Sequence, residues 1–326
     1  MEFALSEEQA ELASTVRSLL DKRAGSADVR AAVAAEAGYD EALWAMLCEQ
    51  IGVAALMVPE EHDGVGATFF ETAVVLEELG RTLAPSPLLA TTTATAALLA
   101  AGTEDAKARL LPRIAAGETA ALATDVRQPT LDVDRASIVL AVVGDDLVEV
   151  AEPKVEPLGS MDQSMRLGRL LEPSGDVVGD GAAARARAEL VDAAGCAALA
   201  VGLGDRALRM TVDYSRERVQ FGRPIGSFQA LKHRMAEMLV RLELARSASW
   251  AASYAVSREA EDQERLTHVA AATALEAAAH LAGECVQLHG GIAITWEHDA
   301  QLVLKRAHAL AQLAGPPHRH RAAVAL

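Results

Sequence analysis

The sequence predicts a mainly α protein, with an N-terminal helical domain, a reduced middle β domain and a C-terminal four-helix bundle. Three observations predict it. About half of the residues are apolar but only 3% are aromatic. The core must therefore be built from Ala, Leu, Val and Met, small side chains that favour closely packed helices. Apolar residues recur at helical spacing near both ends of the chain, and a short stretch rich in β-branched residues lies between them. The changes of pattern put the domains at 1–117, 118–182 and 183–326, since 326 residues are too many for one small domain.

Ser6 followed by Glu8 and a periodic run to Leu19 and Leu20 predicts a capped first helix. A second covers roughly Val29 to Ala37. A third starts near Tyr39 and Asp40 and places Leu43, Trp44 and Leu47 on one face before stopping near Gly52. Pro59 to Gly66 is a charged, glycine-rich turn. The next helix carries Phe69, Phe70, Val74, Val75 and Leu79 and is closed by Gly80. Two more, around Leu88 to Ala101 and Glu104 to Ala116, complete the N-terminal unit. Ser137 to Val143 then reads as a strand, Asp145 and Asp146 as a turn, and Leu147 to Val150 as the second arm of a hairpin. This middle region is short and poor in strong strand formers, which makes it a reduced β domain rather than a full sandwich. Helical patterning returns from about Ala184. Leu231, Met235, Met238, Leu242 and Ala245 form one stripe, with Arg234, Glu237 and Arg241 on the other side. Pro224 and Gly226 separate that helix from one ending near Arg216, and two more cover about Gln263 to Leu288 and Asp299 to Leu313. Long helices in succession with short connections read as an antiparallel bundle.

Thirty Lys and Arg stand against 46 Asp and Glu, a formal charge of −16. That balance argues against non-specific binding to nucleic acid or an anionic membrane, but a local Arg can still hold a small anion. Cys48, Cys196 and Cys285 lie far apart among apolar neighbours and read as inert buried thiols. The first residues, Met1 to Glu8, lack a basic region followed by an apolar run and so are not a signal peptide. Pro85 to Gly102, the least polar long stretch, holds two prolines and a threonine cluster, which argues against a membrane helix. Together these features point to the cytoplasm.

Two corners could carry chemistry. In Tyr214 to Gln229, Arg218 and Arg223 offer charge-assisted donors where the chain leaves a helix, and Gly222 and Gly226 allow tight turns. Such a corner could receive phosphate, or it is an ordinary inter-helix corner with solvated arginines. Phe228 reads as a core anchor. In Gln287 to His298, adjacent Gly290 and Gly291 remove side chains where another group can approach, and Gln287, His289, Trp296, Glu297 and His298 crowd the bend. A plain C-cap accounts for Gly290 almost as well. His289 and His298 are nine residues apart, not a recognised ligand spacing, and no cysteine lies near enough to help, so no metal is expected. His318 to Arg321 reads as a solvated basic end. There is no G-x-S-x-G, no G-x-x-x-x-G-K-[ST] and no H-E-x-x-H, and Gly195, Gly202 and Gly204 lie inside helical patterning.

Arg218-Val-Gln-Phe-Gly-Arg-Pro-Ile-Gly-Ser-Phe-Gln229, together with Gln287-Leu-His-Gly-Gly291 and Trp296-Glu-His298, closely resembles the acyl-CoA dehydrogenase family. Phe3 to Gln9 and Ile51 to Glu61 are similar to that family's N-terminal helical domain, and the resemblance is weakest between about 118 and 180. It implies an acyl-CoA dehydrogenase-like fold, assembly as dimers or dimers of dimers, and FAD bound across a subunit interface. Carried onto this chain, Arg218 contacts the pyrophosphate, Gln220 and Phe221 lie close to the cofactor, and Gln229 lies at a related interface position. Gln287, Gly290 and Gly291 form the second corner touching the neighbour's FAD.

Two departures from the family pattern agree with each other. The threonine-rich acidic stretch with a Gly-Ser pair that binds flavin and acyl-CoA is replaced by Ala121-Leu-Ala-Thr-Asp-Val-Arg127. The α-proton must go to a carboxylate, yet Ala314, followed by Gly315-Pro316-Pro317, occupies the family's usual Glu position. Another branch takes its base from the first bundle helix, where Asp192 stands, one methylene shorter than Glu; a helix-surface or capping role is the other reading of that residue. The resemblance therefore implies the small, non-catalytic subunit of an α2β2 dehydrogenase of the kind found in actinobacterial steroid or cholesterol catabolism. In such a complex the larger catalytic subunit binds most of the acyl-CoA. A self-sufficient homomeric dehydrogenase using Asp192 and a flavin-free structural protein are the alternatives.

Overall fold

The computed structural model describes residues 4–324; Phe3 lies outside them. Helix α1 (Glu7–Arg23) begins with a capping box in which Ser6 Oγ accepts from Gln9 N at 3.2 Å and Gln9 Oε1 accepts from Ser6 N at 3.0 Å. The box closes on Gln9, not on Glu8, because the reciprocal bond requires the third residue of the helix. Helix α2 (Ser26–Ala34) starts and ends earlier than the periodicity predicts, with Asp28 capping Gly25 N. Asp40 caps α3 (Glu41–Met46), which runs on as a π turn to Ile51 and stops at left-handed Gly52. Leu43, Trp44 and Leu47 are buried as expected.

Helix α4 (Phe69–Thr82) does not stop at Gly80 but at Leu83, which is left-handed. Gly80 is there for packing. A Cβ on it would sit 2.3 Å from the Leu199 carbonyl, and one on Gly202 would sit 1.9 Å from the Glu77 carbonyl. Two glycines thus let the backbone of α4 touch that of α7 (Gly181–Glu217) from both sides. Across the same crossing, Arg81 and Arg246 neutralise Glu77, Glu78 and Asp205, and Trp250 Nε1 donates to Glu77 at 3.1 Å. Helices α5 (Leu88–Ala101) and α6 (Glu104–Ala115) complete the N-terminal layer.

The middle region holds two small sheets. The first pairs β1 (Ala120–Ala123), β3 (Ile138–Val143), β4 (Asp146–Val150) and β7 (Gly175–Asp180) in the order β1-β3-β4-β7, with β1 and β3 parallel. The second pairs β2 (Thr130–Leu131), β6 (Leu167–Leu171) and β5 (Lys154–Leu158). The β3–β4 hairpin opposes Val143 to Asp146, so its turn residues are Gly144 and Asp145, one position before those expected. Alternation places Ala120, Leu122, Ile138 and Leu140 against α5, α6 and α7, while Ala121, Ala123, Val139 and Ala141 face Val155 and Leu170 of the second sheet and Val133 in the turn after β2.

The C-terminal layer is formed by α7, α8 (Gln229–Ser257), α9 (Gln263–His289), α10 (Ala300–Leu313) and α11 (Pro317–Val324). Helix α7 is one continuous helix through Gly195, Gly202 and Gly204. Helix α9 packs against all four others. The stretch Gln263–Ile294 is the one described helix long and apolar enough to cross a membrane. On α8 the stripe residues Met238, Leu242 and Ala245 are buried, but Leu239, Val240 and Leu244 on the outer side are exposed. In the tail His318, Arg319 and Arg321 are exposed as expected, but one residue departs from a solvated end. His320 is buried, its Nδ1 2.9 Å from His268 Nδ1 and its Nε2 2.9 Å from the Ala314 carbonyl, while Arg321 pairs with Glu276 on α9.

Candidate functional site

Helix α7 ends because the chain turns back into a two-stranded ribbon, Val219–Gln220 (β8) against Arg223–Pro224 (β9). The two residues between, Phe221 at φ 52° and Gly222 at φ 75°, are both left-handed, as a type I′ turn requires. Glycine takes that conformation freely, whereas a phenylalanine there stores on the order of 1 kcal/mol or more. Phe221 is nonetheless 92% exposed, so its own packing does not offset the strain. The Arg218 carbonyl accepts from Ile225 N at 2.8 Å and closes the loop. Phe228 is half-buried rather than a core anchor. The Arg223 guanidinium lies 4.1 Å over its ring, and Phe221 meets it edge-on at 6.1 Å.

Arg218 is exposed, and among the described residues its guanidinium forms no ion pair or hydrogen bond. Among the described residues the Gln220 side chain reaches the Val219 carbonyl, at 2.9 Å, and that of Gln229 reaches His233, at 3.4 Å. The second corner is similar. Gly290 has φ 66° and ψ −145°, a region open in practice only to glycine, so more than an ordinary C-cap is built here. Nothing lies within 4 Å of where a Cβ would stand on Gly222, Gly290 or Gly291. Gln287 is exposed and has no side-chain partner among the described residues. Of the polar and aromatic residues clustered in sequence at this bend, His289 and His298 come together (ring centroids 4.6 Å apart), while Trp296 packs instead under Lys305 Nζ at 4.3 Å.

His289 is buried. Its Nδ1 lies 2.7 Å from the Cys285 carbonyl, and Cys285 Sγ is 3.6 Å away. A cysteine is thus nearer than the spacing argument allowed, but no group of three His, Cys, Asp or Glu gathers among the described residues. Burial first, then the neighbouring His298, holds the His289 imidazole below its ordinary pKa. Tyr214, which the sequence gives no reason to single out, stacks on His289 at 4.5 Å and so joins the two corners. Unpaired Arg218, free amides and glycines with open space beside them fit an anionic, phosphate-bearing ligand. The exposed Phe221, Ile294 and Trp296 fit an apolar surface beyond it.

The cleft between α4, α5, α7, the second sheet and α10 is small. Its cavity of about 30 Å³, lined in part by Leu76, Leu89, Leu131, Asp132, Met165 and Arg306, is far below the roughly 300 Å³ or more of ordinary ligand pockets. The buried Arg306 guanidinium pairs with Asp162 and Ser164 and points one N–H at the Leu83 carbonyl, 3.4 Å away. Beside it, burial and Asp134 push the Asp132 carboxyl up to about 7, against Arg166 and Arg306. Ala314 caps α10 and gives its carbonyl to His320. Asp192 is neither a cap nor a surface residue. It lies partly buried well inside α7, where burial and Glu189 raise its carboxyl to about 7. Arg306 and Asp162 carry no sequence motif.

Residues 6–118 match the model of the acyl-CoA dehydrogenase N-terminal domain, and residues 180–325 that of the acyl-CoA dehydrogenase C-terminal domain. The acyl-CoA dehydrogenase IpdE2 of Mycobacterium tuberculosis is 46% identical over 95% of this chain and 94% of its own length. Among solved structures, the Tcur3481-Tcur3483 steroid ACAD G363A variant is similar, with a TM-score of 0.88 and 26% identity over 98% of this chain and 97% of that one. The ChsE4-ChsE5 complex from Mycobacterium tuberculosis shares the fold, with a TM-score of 0.89 and 21% identity over 100% of this chain and 98% of that one.

Proposed function

The chain belongs to the acyl-CoA dehydrogenase family, and from that premise we propose that it is the non-catalytic subunit of a heteromeric, α2β2 dehydrogenase, completing the FAD site of a larger catalytic partner. One observation carries the reading. The two corners present exposed Arg218 and Gln287 and glycines with open space beside them, where a cofactor's phosphates would be met, while the chain's own cleft holds only a small cavity lined by Arg306; the family resemblance puts Ala314 at the usual Glu position.

When bound, FAD would supply the acceptor for the hydride that leaves the β-carbon of the acyl thioester. Arg218 would balance pyrophosphate charge through charge-assisted N–H donors. Gly290 and Gly291 would admit the ligand close to the backbone, and Gln220, Gln229 and Gln287 would offer amide groups at its edge. Phe221 would cover an apolar part of the cofactor or partner, which accounts for a strained aromatic held in solvent. The α-proton needs a carboxylate and the Ala314 methyl cannot take it, so the base and most of the acyl-CoA pocket would come from the partner. The exposed Leu239, Val240 and Leu244 suit burial against another subunit. The likeness to a steroid dehydrogenase supports a bulky, ring-bearing acyl group.

A second reading, a self-sufficient homomeric enzyme, has one observation in its favour: a carboxyl near 7 at Asp192 is well matched to a general base. Against it, Asp192 does not line the cavity beside Arg306.

Co-expression with a full-length acyl-CoA dehydrogenase encoded beside this chain tests the proposal. The purified complex is expected to carry FAD, and Arg218→Ala to weaken its retention roughly ten- to a hundredfold, as loss of a hydrogen bond to a charged group does. Unchanged retention would remove Arg218 from the pyrophosphate site. Absence of FAD from the wild-type complex would favour a flavin-free structural protein.

A further inference from the structure

We propose that the packed rings of Tyr214, His289 and His298 are a positioning element of the cofactor site, holding the Arg218 corner and the Gly290–Gly291 corner as one unit that meets a single diphosphate-bearing cofactor. The inference rests on the reading of both corners as cofactor contacts.

Tyr214 stands one turn before Arg218, and its carbonyl accepts the Arg218 N–H at 2.9 Å. Its ring lies 4.5 Å from that of His289 at an interplanar angle of 26°. His289 is the last residue of α9 and immediately precedes Gly290; it is buried although the next two residues are exposed. The 2.7 Å contact between its Nδ1 and the Cys285 carbonyl helps fix the plane of the ring. His298 also meets it, 4.6 Å away at a tilted 52°, and its own Nδ1 accepts from Ala300 N at 3.1 Å at the start of α10. The ends of three helices therefore meet at one cluster of rings around His289.

Both corners project from that cluster and are built from exposed residues with left-handed backbone at Phe221, Gly222 and Gly290. Such loops do not fix one another's distance, and a ligand bridging them gains nothing unless that distance is set in advance. Packed rings are suited to set it, because their geometry is more specific than that of aliphatic contacts. Leucine at either position would fill a similar space without constraining the angle.

The test uses the co-expressed complex. His289→Leu and Tyr214→Leu remove a ring, and His289→Phe and Tyr214→Phe keep one. Two quantities are measured: the FAD dissociation constant from flavin fluorescence, and backbone hydrogen exchange of segments 214–229 and 285–300 in the FAD-stripped complex. Each Leu variant is expected to weaken FAD binding roughly tenfold and to raise exchange in both segments, including the corner on the other helix. Each Phe variant is expected to restore both. Should His289→Leu fail to assemble, His298→Leu in the same cluster makes the same test. Leu variants that bind FAD like the wild type, or that raise exchange only in their own segment, would overturn the proposal. If Arg218→Ala weakens FAD binding and the Leu variants do not, the stack alone is refuted. If Arg218→Ala also leaves binding unchanged, the cofactor reading fails and the stack falls with it.

Discussion

Asp192 and Asp132 carry the two carboxyl groups that burial pushes up to about 7, from an ordinary value of 3.8. They differ in what surrounds them. Asp132 sits in a left-handed turn with Arg166 and Arg306 pulling against the shift, whereas Asp192 lies within a helix with only Glu189 adding to it. A raised carboxyl pKa means that the folded state holds its proton more tightly than the unfolded chain does. The stability it contributes is full below about pH 4 and is lost as pH rises toward 7. Asp192→Asn should therefore melt higher than the wild type at pH 8, by a few kcal/mol at most, and show no gain at pH 4. Under the proposed division of labour the same variant keeps the turnover of the complex; abolished turnover would make Asp192 the base. Residue-scale chemistry was partly legible. The arginine, glutamine and glycine types across the two corners motivate the proposed polar ligand, and the resemblance that puts Ala314 at the usual Glu position motivates the proposed missing base. The Tyr214 stack and the Arg306 pairing were not legible, since each joins residues far apart in sequence through contacts that follow no spacing rule.

At the scale of elements, local chemistry served well where it was local. The caps at Ser6, Asp40 and Thr68 and the stop at Gly52 all act within one turn, and those helices were readable. Gly80 misled because its reason lies across space, in the carbonyl of Leu199. Gly202→Ala tests that crossing. Its Cβ would meet the Glu77 carbonyl at 1.9 Å, so the helices must separate, and thermal denaturation should report a loss of about 1–3 kcal/mol. A loss below a few tenths would mean that α4 and α7 are not held backbone to backbone. His320 in the tail misled for a related reason, because it is buried by His268 on α9 and by the Ala314 carbonyl. Burial holds its pKa below the ordinary 6.5. The docking of α11 is thus fully stabilised above about pH 6.5 and weakens as pH falls through the lower folded value. Hydrogen-exchange protection of 317–324 should drop between pH 7.5 and 5.5, and His320→Phe should flatten that dependence. Protection that is the same at both pH values in the wild type would contradict the latch.

Taken as a whole, the molecule keeps its frame and alters its interior. Helical layers enclose a small pair of sheets, as the low aromatic content and the periodicity predicted. Beside the small cleft Arg306 meets Asp162 and Ser164 on another layer, a contact that no local pattern encodes. The apolar outer face of α8 was likewise hidden, because Leu239, Val240 and Leu244 read simply as more of an apolar helix. Under the proposed function, a cavity too small for a substrate beside open corners suits a chain that supports chemistry done by a partner. The most direct test is acyl-CoA-dependent turnover, followed by the reduction of an artificial electron acceptor, for the chain alone and for its complex with the larger dehydrogenase. The account predicts no turnover by the isolated chain and enoyl-CoA formation by the complex; stoichiometric FAD and turnover in the isolated chain would contradict it.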